Sequence, residues 1–327
     1  MNYRNLGNTG FQVSEISLGT WQVGGKWGSE FDHQLAESIL HTAIDAGVNF
    51  IDTADVYSAG LSEEAVGAVV KARSEEIFIA SKAGRQLNPH TSEAYTPAAI
   101  SRFVEDSLKR MGLETLDLIQ LHCPPTEVYE REEIFEGLRN LKKEGKIRFF
   151  GVSVERVEEA IMALKYEDLS SIQIIFNMFR LKPAEQLFPL LKDKQVGILA
   201  RVPLASGLLS GKMSLKTSFG KEDHRNFNRN GEAFDKGETF SGVDFSKGLE
   251  AVDKLKEIFG DVPLYQVALK WILSFPEVSC VIPGASKIAQ VNGNVAATEL
   301  PTLTKEQKKA VAEIYNLYFR QEVHKMW

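Results

Sequence analysis

Asp52, Tyr57, Lys82 and His122 make up a coherent acid–base set. A phenol on its own titrates near pH ~10, too high for an efficient proton donor at neutral pH. An ammonium beside it favours the phenolate, and a carboxylate beside the ammonium keeps that cation charged and oriented. An imidazole can hydrogen-bond the substrate oxygen and share the proton. Tyr57 would then protonate a carbonyl oxygen as a hydride reaches its carbon, or deprotonate an alcohol in reverse. Taken singly, each residue has a plainer reading. Asp52 with Thr53 could cap a turn, Tyr57 could pack on a rim, Lys82 could be a surface charge, and His122 could be a satisfied core histidine. Their placement joins them. Asp52 closes Asn49-Phe50-Ile51 and Tyr57 follows shortly; Lys82 follows Ile77-Phe78-Ile79-Ala80-Ser81; His122 follows Leu118-Ile119-Gln120-Leu121.

Eight β-rich runs recur along the chain, near Glu15–Leu18, Asn49–Asp52, Ile77–Ala80, Leu116–Leu121, Ile147–Gly151, Ile172–Phe176, Val196–Ala200 and Val278–Ile282. Most are near-continuous Val, Ile, Leu and Phe, the pattern of parallel strands buried on both faces. Amphipathic helices with readable ends lie between them. Asp32 can cap one that places Leu35, Ile39, Ala43 and Ala46 on a face, stopped by Gly47. Thr96-Pro97 opens another carrying Ile100, Phe103, Val104, Ser107, Leu108 and Met111, ended by Gly112. Ile134, Phe135, Leu138 and Leu141 repeat the spacing up to Gly145, and Val157, Ala160, Ile161 and Leu164 repeat it again. Eight strand–helix units with right-handed crossovers predict an α/β chain folded as a (β/α)8 TIM barrel. An open doubly wound sheet would announce a dinucleotide site with G-x-G-x-x-G after its first strand, and that motif does not occur.

Two segments break the rhythm. Tyr3–Gly7 and Gly10–Val13 flank Asn8-Thr9 and predict a short N-terminal β-hairpin that plugs the barrel bottom. A long insertion separates the seventh and eighth strands. Its first part, roughly Leu204 to Phe245, is polar and Gly-rich, and a loop of that length is usually functional or disordered. Helices from Ser246 to Phe259 and from Pro263 to Ser274 follow. Nothing resembles an interdomain linker, so residues 1–327 are expected to form one domain.

In such barrels the reactive site lies at the C-terminal strand ends. Ser153, after Phe149-Phe150-Gly151-Val152, and Gln173 and Asn177 on the sixth strand join the candidates there. Asp plus Glu outnumber Lys plus Arg by 44 to 38, a net charge of -6 that disfavours nucleic acid and anionic membranes as partners. Two distant cysteines, no apolar stretch long enough to span a bilayer and no signal peptide point to the cytoplasm. No metal-ligand spacing occurs, and no metal is expected. Oligomeric state is left open between monomer and homo-oligomer.

The chain resembles the aldo-keto reductase family over essentially its whole length. Leu18-Gly19-Thr20-Trp21 and Asn49-Phe50-Ile51-Asp52-Thr53-Ala54-Asp55-Val56-Tyr57 look like the opening motifs, with Ser62-Glu63-Glu64 after them. Asp106 to Gly112, running on to Asp117-Leu118-Ile119-Gln120-Leu121-His122, resembles the central signature. Ile282-Pro283-Gly284-Ala285-Ser286 resembles the cofactor motif near the end. Gly24-Gly25-Lys26-Trp27-Gly28 is similar to a loop of bacterial sugar- and aldehyde-related members. The resemblance implies a barrel that binds a nicotinamide dinucleotide, NADPH/NADP more than NAD, with a tetrad at Asp52, Tyr57, Lys82 and His122.

Carried over residue by residue, the resemblance implies cofactor contacts at Gly19, Thr20, Trp21 and Asp52, and at Ser153 and Gln173 for the nicotinamide carboxamide. Two positions depart from the family. Val154 stands where Asn often follows the serine, and Arg201 stands where an aromatic residue usually stacks on the nicotinamide. A guanidinium can stack on a ring, but its charge opposes the oxidised, cationic form, and a phosphate could draw it away. Pro203, Leu204, Ser206, Gly207, Leu208, Ser210 and Lys212 look like the pyrophosphate loop, where small residues bring backbone N–H groups close. It is not a Walker A motif, since Ser206 replaces the first Gly and Met213 replaces the Ser or Thr. Gly284, Ser286, Lys287, Gln290 and Asn294 match the adenosine end. There Ser286 can cap a helix and Lys287 can pair with a 2′-phosphate.

Trp21, Trp27, Tyr57 and His122 would line the pocket for a small carbonyl or alcohol substrate. Residues 222–229 could fold over the cofactor or form a solvated tract. Two other functions share this architecture: a cofactor-sensing subunit of a larger assembly with little turnover, and a sugar-phosphate isomerase. The second leaves Tyr57 and Lys82 without a joint role.

Overall fold

The computed structural model describes residues 1–25, 28–191 and 194–327. Tyr3–Asn5 (β1) and Gln12–Ser14 (β2) pair antiparallel as the expected hairpin. Eight further strands follow in chain order: Leu18–Gly19 (β3), Phe50–Asp52 (β4), Phe78–Ala83 (β5), Leu116–His122 (β6), Ile147–Ser153 (β7), Ser171–Ile175 (β8), Gly197–Arg201 (β9) and Val278–Val281 (β10). They form one parallel sheet in sequential order from β3 to β10. Parallel bridges from Ile16 to Val281 and from Gly19 to Gly284 close it, with Ser17 N donating to the Val281 carbonyl at 2.9 Å. The (β/α)8 barrel read from the sequence is the observed fold. The first run is a two-residue strand because the rest of it pairs only through the closing bridge.

His33–Asp45 (α1), Leu61–Lys71 (α2), Pro97–Met111 (α3), Glu132–Lys143 (α4) and Val157–Ala163 (α5) pack outside the sheet. Asp32 caps α1 by accepting from Leu35 N at 2.9 Å, and Thr96 caps α3 by accepting from Ala99 N at 3.1 Å. The buried face of α3 is the one its spacing predicts. On α5, Ile161 faces solvent instead of the core. Between β8 and β9 the crossover is irregular: a wide turn at Pro183–Leu187 runs into a 3-10 turn at Phe188–Leu191. The long insertion after β9 carries His224–Phe227 (α6), Phe245–Phe259 (α7) and Leu264–Leu273 (α8). Ile288–Val295 (α9), Lys305–Tyr318 (α10) and Arg320–Val323 (α11) follow β10. Among the described residues no helix is long and apolar enough to cross a membrane.

The apolar core has two parts. The larger lies between sheet and helices. The smaller fills the barrel, where Leu6, Phe11 and Val13 of the hairpin meet Phe50, Phe78, Leu118 and Leu199. Phe11 stacks on Phe78 with ring centroids 4.2 Å apart. The hairpin therefore fills the N-terminal end of the barrel, opposite the C-terminal strand ends. Gly7 makes this packing possible: its φ is +51°, and a Cβ there would overlap the Ser170 carbonyl oxygen. Gly7→Ala is expected to cost about 2 kcal/mol or more, read as a lowered midpoint in urea unfolding.

Candidate active site

Strand parity selects which side chains reach the mouth. In a strand, residues i and i+2 share a face. Phe50, Phe78, Ala80, Leu118 and Leu199 point into the barrel. Asp52, Lys82, His122 and Arg201 keep that inward phase at the strand ends. The same count puts Ser153 and Gln173 in the inner layer.

Tyr57 reaches this layer by a different route. It follows β4 in a tight turn in which Tyr57 N donates to the Ala54 carbonyl at 3.1 Å. Ser58, Ala59 and Gly60 then hold φ of 49°, 55° and 95°. Consecutive non-glycine residues in the left-handed region are costly and persist only where their surroundings over-determine them. Here they turn the chain sharply into α2 and fold Tyr57 back over the mouth. Ser62, from α2, donates to Thr20 Oγ1 at 2.7 Å and lies 3.1 Å from Thr53 Oγ1, tying the two loops together.

The three groups meet. Lys82 Nζ lies 2.5 Å from Asp52 Oδ1, 2.8 Å from the Thr53 carbonyl and 3.2 Å from Tyr57 Oη. Lys82 is 1% exposed and Asp52 2%, so Lys82 is not a surface charge. The other Asp52 oxygen accepts from Gln173 Nε2 at 2.7 Å and Gln120 Nε2 at 3.4 Å. The His122 ring stands edge-on to Tyr57, centroids 6.1 Å apart, and its Nδ1 has no hydrogen-bond partner among the described residues. Burial is the strongest influence on each titrating member. It pushes the Tyr57 hydroxyl above its ordinary 10, with Lys82 pulling against it. The sequence expectation that Lys82 lowers this value is outweighed, because desolvation of the half-buried phenol exceeds the Lys82 attraction and Asp52 offsets the ammonium. Burial opposes the Lys82 charge, yet Asp52 and Tyr57 together hold its pKa above the usual value. His122 is driven well below 6.5 by burial, then by Arg85, Lys82 and Arg201, so its imidazole is neutral.

A cleft of about 610 Å³ opens over these groups. Its lining includes Gly19, Thr20, Trp21, Asp52, Tyr57, His122, Ser153, Gln173 and Arg201, then Pro203, Leu204, Ser206, Gly207, Ser210 and Lys212, and finally Gly284, Lys287 and Gln290. The remaining candidates differ. Leu208 is fully buried, its side chain filling the space beside Gly248. Asn294 is buried on α9 and is not among the residues lining the cleft. Ser286 does not cap α9: Lys287 holds that position, and the Ser286 N–H and hydroxyl both turn to Gln290 Oε1 at 2.8 and 3.2 Å. Asn177 is structural, donating to the Val202 carbonyl at 2.9 Å and Ser241 Oγ at 2.7 Å. Trp27 lies outside the described residues.

The long insertion delivers further residues, two of them from the 222–229 tract that the sequence offered as a cover for the cofactor, and Glu238, which the sequence did not point to. His224, Arg225 and Glu238 line the cleft. The imidazole of His224 lies 5.1 Å from the Trp21 ring, which in turn stacks on Tyr57 at 6.1 Å. Burial lowers the His224 pKa to about 4. Arg225 pairs with Asp223 at 2.6 Å over the Gly207 turn. Ser206 is engaged by the same insertion: its hydroxyl donates to the Glu238 carbonyl at 3.0 Å and accepts from Phe240 N at 2.9 Å.

Arg201 reaches toward protein acceptors. Its Nη2 donates to the Val154 carbonyl at 3.0 Å, and its Nη1 lies 3.4 Å from Glu238. Cys123, Glu155 and Glu238 place ligand-type atoms within 4.8 Å of one another. Arg85 and Arg201 already pair with these carboxylates, so guanidinium groups stand where a metal ion would sit. The cleft lining combines cations (Lys212, Arg225, Lys287) with buried polar atoms that have no partner among the described residues (His122 Nδ1, Arg201 Nε), a set that fits a dinucleotide.

Residues 15–316 match the model of the aldo/keto reductase family. A Bacillus subtilis protein named uncharacterized oxidoreductase YqkF is 32% identical over 99% of both chains. The structure of glycerol dehydrogenase AKR11B4 from Gluconobacter oxydans is 33% identical, covers 97% of this chain and 96% of its own, and superposes with a TM-score of 0.78. An Arabidopsis thaliana protein named probable voltage-gated potassium channel subunit beta is 31% identical over 93% of each chain.

Proposed function

The chain belongs to the aldo/keto reductase family, and from that membership we propose an NADPH-dependent enzyme that moves a hydride between nicotinamide and the carbonyl carbon of an aldehyde, ketone or sugar-like substrate. The observation that carries this reading is the Asp52–Lys82–Tyr57 chain in the cleft, buried at Asp52 and Lys82, with neutral His122 edge-on to the Tyr57 ring.

Tyr57 is the general acid. Burial keeps its phenol protonated, so it can donate as negative charge develops on the substrate oxygen. Lys82 then stabilises the phenolate, and Asp52 keeps Lys82 charged. Neutral His122 donates a hydrogen bond to the carbonyl oxygen and orients it. Trp21 and His224 wall the mouth. The bound cofactor supplies the hydride. Ser153 and Gln173 would meet its carboxamide, and the Gln173 amide also donates to Asp52. Lys287, the residue before α9, would pair with a 2′-phosphate, which would favour NADP over NAD.

The test is loss of NADPH absorbance with a panel of aldehydes and hydroxyaldehydes, run beside NADH. Turnover is expected with at least part of the panel, faster with NADPH. Lys287→Ala should raise KM for NADPH about tenfold, equivalent to ~1.4 kcal/mol, and leave KM for NADH nearly unchanged. Equal effects on both cofactors would remove Lys287 from phosphate recognition. The resemblance to a protein named as a channel subunit supports a second reading, a cofactor-sensing subunit. Tight NADPH binding without turnover on any carbonyl would favour it.

A further inference from the structure

Arg201 is the last residue of β9, inward in phase, 8% exposed and part of the cleft lining. Cys123 Sγ lies 3.6 Å from Arg201 Nη2 and 3.6 Å from Ser153 Oγ, which fixes the guanidinium close to the residue assigned to the nicotinamide carboxamide. Arg201 Nε has no partner among the described residues. Its Nη1 shares Glu238 Oε1 with Arg85, the two separations being 3.4 and 3.2 Å. Two guanidinium groups thus face one carboxylate. Glu155 is 3.7 Å from Arg85. Burial, with Asp235 and Glu238 nearby, lifts its carboxyl to about 8, so near neutrality it offsets little. The Cys123 thiol is pushed up to about 11 by burial and stays neutral. Across the cleft, Lys82 is already paired with Asp52. Over Arg85, Arg201, Glu155 and Glu238 the balance is one positive charge.

We propose that Arg201 makes the site discriminate between the redox states of its cofactor, holding the neutral dihydronicotinamide more tightly than the cationic nicotinamide, with Glu238 setting how much of the charge is felt. The inference rests on the nicotinamide reading above. A pyridinium ring brought near a guanidinium in a dry cleft meets a repulsion that the reduced ring does not, and low dielectric strengthens it. The consequence in the reductive direction is ready departure of the oxidised cofactor and weak inhibition by it.

The experiment is calorimetric measurement of Kd for NADPH and for NADP⁺ in the wild type, Arg201→Met, Arg201→Lys and Glu238→Gln. In the wild type, the ratio of Kd for NADP⁺ to Kd for NADPH is expected on the order of tenfold or more. Arg201→Met should bring the ratio toward unity, mainly by tightening NADP⁺, while Arg201→Lys should keep most of it. Glu238→Gln should widen it. That opposite sign is something a structural role would not produce, and it tests the idea even if Arg201→Met does not fold. A ratio unchanged in Arg201→Met, with both constants moving together, would overturn the proposal, as would equal wild-type affinities. A wild type that binds neither cofactor would instead sink the function proposed above.

Discussion

Tyr57→Phe is expected to lower kcat by about 10²- to 10⁴-fold, the range for loss of a positioned general acid, while NADPH affinity stays within about twofold. The substitution keeps the ring and deletes one atom. Trp21 still finds a flat partner to stack on, and the strained turn at Ser58 and Ala59 is unchanged, so the mouth keeps its shape. What disappears is the hydroxyl 3.2 Å from Lys82 Nζ and with it the proton for the substrate oxygen. His122 is a poor substitute. Burial and three neighbouring cations hold its imidazole neutral, so it can donate a hydrogen bond but has no spare proton at neutral pH. The effect should therefore appear in kcat and leave KM for the carbonyl much less changed. Full activity in Tyr57→Phe, measured by NADPH consumption with any carbonyl the wild type reduces, would remove Tyr57 as the proton donor. Retained cofactor binding distinguishes this loss from misfolding.

The parts legible in the sequence were those encoded by local pattern. Apolar runs ending in Asp52, Lys82 and His122 mark strand ends because a parallel strand buried on both faces has no alternation to confuse the reading. Asp32, Thr96 and Gly112 mark helix ends because their side chain or φ does the work locally. Errors of one position arose where two residues compete for a cap, as at Ser286 and Lys287, since the Ser286 hydroxyl prefers the Gln290 side chain. Residues brought in by distant contacts were illegible. Glu238 enters the site because Arg85 grips it from 153 positions away. The segment carrying it is pinned from behind, where Trp327 Nε1 donates to Asp235 at 2.7 Å and the Arg180 guanidinium stacks 4.2 Å over the Trp327 ring. No periodicity records such pairings. The involvement of Ser206 with the insertion was hidden for the same reason, although its Gly-rich surroundings were plain.

Removing one partner of the Asp52–Lys82 pair should have the second large effect, and on two observables with different logic. Lys82→Met leaves Asp52 buried with only the Gln173 and Gln120 amides to solvate its charge. Breaking a buried ion pair from one side typically costs about 3–5 kcal/mol, because the stranded charge has no water to return to. Asp52→Asn strands the ammonium instead, and burial then acts on Lys82 without its principal counter-charge, so its pKa should fall. Each single variant is expected to lose most activity and to unfold at markedly lower urea concentration. Combined, the two substitutions remove both charges. Stability should then recover much of the loss, as a neutral pair in a dry site often matches an ionic one, while activity should stay at least 10²-fold down because nothing remains to stabilise the Tyr57 phenolate. Recovery of turnover along with stability in the double variant would show that the pair only props up the barrel mouth. Stability without turnover would show that its charge is retained for the chemistry of Tyr57.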